Sequence, residues 1–303
     1  MIRLDRATVE RSGRIVVDGI SLAVSAGQSL AVVGRSGAGK TSLLAALAGA
    51  LPLHAGQITI DGHCVRREPA AVARLVGYAP ARLPAWPGLR AHEFLELFAT
   101  AAGLRGKPLR VAVGKSLAMA GLDATGRDPL DTLSDGHAKR LLLARALVHD
   151  PQVLILDDPF GGLDPLERRD IERLIGDTHL MGRTVLAAVD DAGLPGCFTH
   201  VAVLAEGRLA VSGPADPAAF DRADGWTYAV TCPAAAEAAA RAVMPLVIDA
   251  MAIDADTVHC RFQPRQAPAA ALVAAIVAAG LPVAAAGFDP PWAAQLLEPQ
   301  SAA

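Results

Sequence analysis

The stretch SLAVVGRSGAGKTSLLAALAG, residues 29–49, decides the fold of this chain. Residues 29–33 have the pattern of a short buried strand, and residues 41–48 have that of a helix. Between them, GRSGAGKT at positions 34–41 matches GxxxxGK followed by Ser or Thr at every fixed position. A glycine-rich turn between a strand and a helix predicts a phosphate-binding loop, because its backbone N–H groups can curl around phosphate oxygens.

The residue types in this loop suit a nucleotide and its magnesium ion. The N-terminus of the helix adds positive partial charge, and Lys40 would neutralise the β- and γ-phosphates. The Thr41 hydroxyl would ligate Mg²⁺. We therefore predict that ATP and Mg²⁺ bind here, and the candidate ATP-binding residues of the loop are Gly34, Arg35, Ser36, Gly37, Ala38, Gly39, Lys40, Thr41 and Ser42.

A second motif, VLILDD at residues 153–158, is a continuous apolar run that ends in two carboxylates. The pattern predicts another buried strand. Beside a phosphate loop, a carboxylate at the tip of such a strand is placed to hold Mg²⁺. We therefore predict that Asp157 holds the metal together with Thr41.

Length and charge limit the function classes. A domain usually has about 100–200 residues, so the 303 residues predict two domains, and 52% hydrophobic residues suffice for a sizeable core. A net charge of −3 argues against an electrostatic nucleic-acid binder. The four cysteines lie far apart without a CxxC pair, which argues against a zinc site and favours a reduced cytosolic compartment.

The longest uncharged run, residues 267–288, has the length of a membrane span. It is mostly alanine, however, and Gly280 and Pro282 interrupt it. A buried helix followed by a strand is the better interpretation. The first residues also lack the apolar core of a signal peptide. We therefore expect the protein to act at a membrane only through a partner.

Strands and helices alternate as far as residue 214, which predicts a largely parallel sheet. The composition shifts after Gly213-Pro214. The later pattern has the order βαββαβ and predicts a small ferredoxin-like module. Its expected elements are a strand from Trp226, a helix at 233–243, strands at 248–254 and 257–262, a helix at 267–279 and a strand at 281–286.

Two further segments carry a family resemblance. LSDGHAKRLLLARAL at 133–147 is similar to the LSGGQ signature and following helix of the ATP-binding-cassette (ABC) ATPases, and FGGLDP at 160–165 resembles their D-loop, with Asp164 in the key place. GYAP at 77–80 resembles the strand entering their Q-loop, and residues 184–191 resemble the strand leading to their H-loop. The order and spacing of these motifs agree with the family over residues 1–214.

The resemblance implies an α/β fold: a P-loop (RecA-like) ABC ATPase core with a β subdomain and a helical subdomain, the latter at about 82–134. Residues 1–214 would be the ATP-binding domain, and residues 215–303 resemble the C-terminal accessory domain of bacterial exporter cassettes. Family cassettes dimerise head-to-tail, with each ATP between one phosphate loop and the other subunit's signature. By that resemblance, further candidate ATP contacts are Ser134, Asp135, Gly136 and Asp164.

The resemblance also implies partners and a location. The partners would be a transmembrane permease subunit and a second ATP-binding cassette, in a homodimer or a heterodimer, and no nucleic acid. The protein would be cytoplasmic and peripheral at the inner face of the plasma membrane through the permease.

Several catalytic positions depart from the family pattern. Ala81 stands where the Q-loop has Gln, and a methyl group cannot ligate Mg²⁺ or orient water. Asp158 replaces the general-base Glu, and its carboxylate would sit about 1.5 Å further from the attacking water because the side chain is one methylene shorter. A misplacement of about 1 Å can lower the rate about 10²-fold. Asp190 replaces the γ-phosphate-sensing His, and Asp135 replaces the first Gly of the signature. Arg11 aligns near the adenine-stacking aromatic and could still stack through its guanidinium plane.

Three hypotheses follow. The first is the ATP-binding subunit of an ABC transporter, of exporter type, with hydrolysis slowed by the altered motifs. The second is an ATP-binding, hydrolysis-impaired regulatory or structural subunit that pairs with an active cassette. The alternative to this second hypothesis is an active enzyme in which Asp158 serves as the base. The third is a soluble non-transport cassette protein, which the single cassette and the absence of a long coiled-coil insertion disfavour.

Overall fold

The computed structural model describes residues 1–122, 125–189, 196–215, 226–263 and 269–288. The chain divides into two compact units. The first contains Met1–Asp190 and Pro195–Ser212, and the second contains Asp191–Leu194 and Gly213–Ala303.

The first unit alternates strands and helices along the chain. Its strands are β1 (Ile2–Arg11), β2 (Arg14–Val24), β3 (Ser29–Val33), β4 (Ala55–Ile60), β5 (His63–Cys64), β6 (Val76–Ala79), β7 (Val153–Asp157), β8 (Thr184–Val189), β9 (His200–Ala205) and β10 (Arg208–Pro214). Its helices are α1 (Lys40–Leu47), α2 (Pro69–Leu75), α3 (Ala91–Ala101), α4 (Gly106–Met119), α5 (Asp135–Leu147) and α6 (Pro165–Leu180).

The central sheet has the strand order β10-β9-β3-β8-β7-β6. The pairs β3–β8, β3–β9, β6–β7 and β7–β8 are parallel, which confirms the predicted largely parallel sheet. Every residue of β3, β7 and β8 is buried, as the continuous apolar runs predict for strands covered on both faces. Val33 pairs with Val189 and Asp157 with Ala188, so the phosphate loop and the acidic strand end lie at the same edge of the sheet.

Two smaller layers complete the first unit. The sheet β2-β1-β4-β5 is antiparallel, and its inward residues join one apolar cluster with α1 and the central sheet. A separate cluster around Phe94, Leu95, Leu122 and Leu141 holds α3, α4 and α5 together. The β subdomain, the helical subdomain and the core of the predicted fold are therefore all present.

The second unit has the predicted βαββαβ order. Its antiparallel sheet has the strand order β12-β13-β11-β14, and its core includes the large side chains of Trp226 and Phe262. Its elements are β11 (Trp226–Thr231), α7 (Ala236–Val243), β12 (Asp249–Ala252), β13 (Thr257–Phe262), α8 (Ala269–Ala278) and β14 (Ala285–Phe288).

The expected strand at 281–286 is wrong in its start, because β14 begins at Ala285. Gly280 takes a left-handed φ of 73°, and the Leu281 N–H donates to the Ile276 carbonyl, so these residues still close α8. Pro282 has no N–H to donate to a ladder. The strand therefore starts only after this cap.

In the part of the chain that the structure describes, no helix is long and apolar enough to cross a membrane. All four cysteines are free thiols.

Candidate functional site

The phosphate loop connects β3 to α1 and lies against backbone from distant parts of the chain. Gly39 caps α1 with φ 97°, and a Cβ there would lie 2.4 Å from the Val16 carbonyl oxygen. A Cβ on Gly34 would lie 2.4 Å from the carbonyl oxygen of Leu204. The Gly207 N–H donates to the Ala38 carbonyl at 3.2 Å. Glycine is required at positions 34 and 39 because backbone already occupies the space of a side chain.

The loop forms one wall of a cleft of about 490 Å³, which we call the phosphate cleft. It brings together most of the predicted site residues, from both motifs and from the segments before and after them. Its lining residues are Arg11, Val16, Arg35, Ser36, Gly37, Ala38, Gly39, Lys40, Thr41, Ser42, Ala81, Arg82, Asp157, Asp158 and Ala188.

The Lys40 side chain folds back over its own loop. Its Nζ donates to the carbonyl oxygen of Gly34, and the Arg35 carbonyl oxygen lies 3.4 Å away. This placement puts an ammonium group beside the N-terminus of α1, where backbone N–H groups already favour anions. The cleft therefore concentrates positive charge at the loop.

Thr41 and Asp157 meet across the cleft. Thr41 Oγ1 donates to Asp157 Oδ1 at 3.0 Å, although the residues are 116 positions apart in the chain. Asp157 is only 4% exposed, and burial raises the pKa of its carboxyl group, an effect that the Thr41 hydrogen bond opposes. A hydroxyl and a carboxylate are the hard oxygen donors that Mg²⁺ binds beside phosphate oxygens. The two residues fit the predicted metal site.

Asp158 lies at the boundary between the phosphate cleft and a neighbouring one. Its φ of 47° is left-handed, and its N–H donates to the Ala188 carbonyl at 3.1 Å. The carboxylate packs over Gly161, where a Cβ would be 2.0 Å from Asp158 Oδ2. Ala81 lines both clefts and contributes only a methyl group and its backbone.

The neighbouring cleft, of about 610 Å³, is called here the helical cleft. It contains Asp135 from the first turn of α5 and the Asp158 carboxylate. Its lining residues are Ala81, Arg82, Leu83, Asp135, Ala138, Lys139, Leu142, Asp158, Gly161 and Gly162.

The signature-like residues form the start of α5. Ser134 is its N-cap and accepts the His137 N–H at 3.2 Å, while Ser134 Oγ and His137 Nδ1 lie 2.8 Å apart. Gly136 is packed against Glu167, whose Oε1 would lie 2.2 Å from a Cβ at that position. Among the described residues, the phosphate cleft is lined by none of Ser134, Asp135 and Gly136. The chain does not bring its own signature to its own loop.

Asp164 serves as a helix cap. Its Oδ1 accepts the N–H groups of Leu166 and Glu167, both at 2.8 Å, and the Glu167 side chain accepts the Asp164 N–H in return. This reciprocal pair begins α6. The role of Asp164 toward a nucleotide stays a prediction. Asp190, the residue predicted at the H-loop position, lies outside the described residues.

Sequence reasoning missed Arg82 and Lys139. Arg82 lines both clefts. The Lys139 side chain is 11% exposed and reaches Asp158. One signal for Lys139 was available: it follows Asp135 by one helical turn and precedes Leu142 by three residues, so it shares a face with an apolar position.

Residues 17–161 match the protein family described as ABC transporter. The chain is similar to the linearmycin resistance ATP-binding protein LnrL of Bacillus subtilis (strain 168), with 31% identity over 173 residues, or 57% of this chain and 56% of that protein. It thus spans about half the length of that relative. It is also similar to the Nod factor export ATP-binding protein I of Paraburkholderia xenovorans (strain LB400), with 32% identity over 213 residues and 70% of each chain.

Similarity also extends to a solved structure, the dimeric post-hydrolysis state of the ATP-binding cassette MJ0796 bound to ADP and Pi. The TM-score is 0.64 at 23% identity, and the match covers 71% of this chain and 98% of that chain. This likeness shows the fold.

Proposed function

Since this chain belongs to the ABC transporter family, we propose that it is the ATP-binding subunit of an ABC transporter and couples ATP binding and hydrolysis to a membrane partner. The observation that carries the proposal is the Thr41–Asp157 contact in the same cleft as Lys40. An ammonium, a hydroxyl and a buried carboxylate at the N-terminus of a helix suit a magnesium-bound triphosphate.

Each residue has a defined task in this proposal. Lys40 neutralises the β- and γ-phosphates, and the loop N–H groups bind the phosphate oxygens. Thr41 and Asp157 would hold Mg²⁺, which when bound supplies charge neutralisation at the phosphates. Asp158 is the candidate general base that takes a proton from the attacking water. Arg11, which lines the cleft, is the candidate contact for adenine.

Hydrolysis is proposed to be slow. The Ala81 side chain has no polar atom for orienting water, and Asp158 is one methylene shorter than the Glu of the resembling family. The packing of the Asp158 carboxylate over Gly161 supports this, since a Cβ on Gly161 would lie 2.0 Å from Asp158 Oδ2. A carboxylate in this contact is constrained in how far it can extend toward a water at the γ-phosphate.

A second cassette and a transmembrane permease are the proposed partners, and the proposed location is the cytoplasmic face of the membrane. The dimer is supported by the position of Asp135, which lines the helical cleft and not the phosphate cleft. A nucleotide that uses this signature would therefore come from another subunit. Relatives include proteins named for import as well as for export, and the exporter type stays a prediction.

The second unit is proposed to be an accessory domain, residues 215–303, without nucleotide contacts. Its sequence carries no glycine-rich phosphate-binding motif. The unit also has its own buried core around Trp226 and Phe262.

Calorimetric titration of ATP with Mg²⁺ into wild type and Lys40→Ala tests the proposal. We expect the wild type to bind and the variant to lose most of its affinity, because the phosphates lose their cation. Lys107→Ala is the matched control, since Lys107 is an exposed lysine on α4. Equal affinity in all three proteins would refute nucleotide binding at this loop.

A further inference from the structure

Lys139 is a lysine on α5 whose side chain is 11% exposed and whose ammonium group reaches two other segments. Its Nζ donates to the Ala81 carbonyl oxygen at 2.8 Å and to the Asp158 carbonyl oxygen, and it lies 3.8 Å from Asp158 Oδ2. These acceptors belong to the segment after β6 and to the segment after β7. A single side chain on the signature helix therefore links two of the segments that carry altered catalytic positions, those of Ala81 and Asp158.

Burial and the neighbouring carboxylates act on the pKa of Lys139 in opposite directions, and the net shift is downward. Burial lowers the pKa of Lys139, and Arg82 acts in the same direction. Asp158, Asp157 and Asp135 oppose this effect. Three carboxylates from two elements thus face one cation. Removing the cation would therefore remove the ion pair between Lys139 and the Asp158 carboxylate.

The Asp158 carboxylate itself has few ways to move. The residue has a left-handed backbone and lies over Gly161. Its side chain is 41% exposed, and the Lys139 ammonium lies 3.8 Å from Oδ2. Lys139 Nζ also fixes the carbonyl oxygen of the same residue.

We propose that Lys139 is a positioning residue for ATP hydrolysis: it sets the orientation of the Asp158 carboxylate and ties it to the loop at Ala81. This inference rests on the proposed ATPase function. According to this inference, Lys139 on the signature helix orients Asp158, the candidate base of the same subunit. The hydrogen bond from Lys139 goes to the backbone carbonyl oxygen of Ala81. It therefore does not depend on the Gln side chain that the resembling family has at this position.

The test compares steady-state ATP hydrolysis and Mg²⁺·ATP affinity of the full-length chain and its variants. In Lys139→Gln, we expect kcat to fall by about 10²-fold, the cost of a misplacement near 1 Å, with KM and the calorimetric Kd unchanged. Lys139→Arg should recover most of the loss, because it keeps the charge and donors for both carbonyl oxygens. Lys107→Gln, which removes a charge from exposed α4, is the matched control and should behave as wild type.

A double-mutant cycle separates positioning from general support. If Lys139 acts through Asp158, then adding Lys139→Gln to Asp158→Asn should cause no further loss of kcat. Additive losses would overturn the inference. So would a weakened Mg²⁺·ATP affinity in both Lys139→Gln and Lys139→Arg, which would make Lys139 a structural residue.

The possible failures are distinguishable. A wild type that binds Mg²⁺·ATP without turning it over would refute the proposed hydrolysis, and the positioning role with it. A wild type that hydrolyses ATP at the same rate as Lys139→Gln would refute the positioning role alone.

Discussion

Replacing Thr41 with Val tests the metal site directly, because valine matches threonine in shape and lacks the hydroxyl. The wild-type hydroxyl donates to Asp157 Oδ1 at 3.0 Å and is the proposed Mg²⁺ ligand. Thr41→Ser is the matched control, since serine keeps the oxygen and loses only a methyl group. We expect the valine variant to lose magnesium-dependent nucleotide affinity and the serine variant to keep it.

The effect on stability without ligand should be small. A hydrogen bond to a charged group contributes about 1.5–3 kcal/mol, but Asp157 itself lines the open phosphate cleft, so water in the cleft can reach the freed carboxylate oxygen. We therefore expect Thr41→Val to cost about 1 kcal/mol, the net value of an ordinary hydrogen bond. For a unit of this size that is a fall in Tm of about 2–4 °C.

The effect on binding should be larger. Loss of a residue that only orients a metal ligand costs about 10–100-fold in affinity, and loss of a ligand should cost no less than tenfold. Calorimetric titration of ATP with Mg²⁺, and again with EDTA, measures this difference. Thr41→Val should weaken binding with Mg²⁺ and leave binding in EDTA close to wild type. Equal affinities of Thr41→Val and Thr41→Ser with Mg²⁺ would refute the metal site.

Three other predictions concern packing, catalysis and domain organisation. Gly77→Ala should destabilise the protein by about 3 kcal/mol, because its Cβ would lie 1.9 Å from the Ala146 carbonyl oxygen. Gly114→Ala, at an open position in α4, should stabilise the protein by about 0.5–1 kcal/mol. Equal changes of Tm in Gly77→Ala and Gly114→Ala would contradict this reasoning. Asp158→Glu should raise phosphate release above wild type, since the longer side chain reaches further, and a decrease would show that its surroundings are built for Asp. Deleting residues 215–303 should leave Mg²⁺·ATP affinity unchanged, and a large loss in a folded truncation would count against the accessory-domain proposal.

Local patterns predicted the elements whose structure depends on nearby residues. The strand, glycine turn and helix around Lys40 follow from one continuous stretch, and the buried strand before Asp157 follows from its apolar run. Their meeting at one sheet edge follows from parallel pairing. The Thr41–Asp157 contact was therefore predictable in kind from the sequence, although its 3.0 Å length was not.

Elements that depend on distant residues were not predictable in this way. Helix α2 has seven residues with Val72 alone buried, so it shows no usable period. The start of β14 depends on how α8 is capped at Gly280. The burial of Lys139 depends on two segments that lie 58 and 19 residues away in the chain. From the sequence of α5 alone, Lys139 would be predicted to be exposed, because the two segments that cover it are distant in the chain.

Because the phosphate loop packs against backbone from far along the chain, it can reach its final structure only late in synthesis. Residues 34–41 emerge early, but the loop packs against Leu204 and receives the Gly207 N–H, which are synthesised more than 160 residues later. Asp18 is tied to the same Gly207 through its N–H. A nascent chain that has emerged only as far as Asp157 therefore carries every proposed phosphate and metal ligand without the support that shapes the loop. Nucleotide capture becomes one of the last events in the synthesis of the first unit, and a chain cut short before residue 204 should leave the ribosome without a formed ATP site.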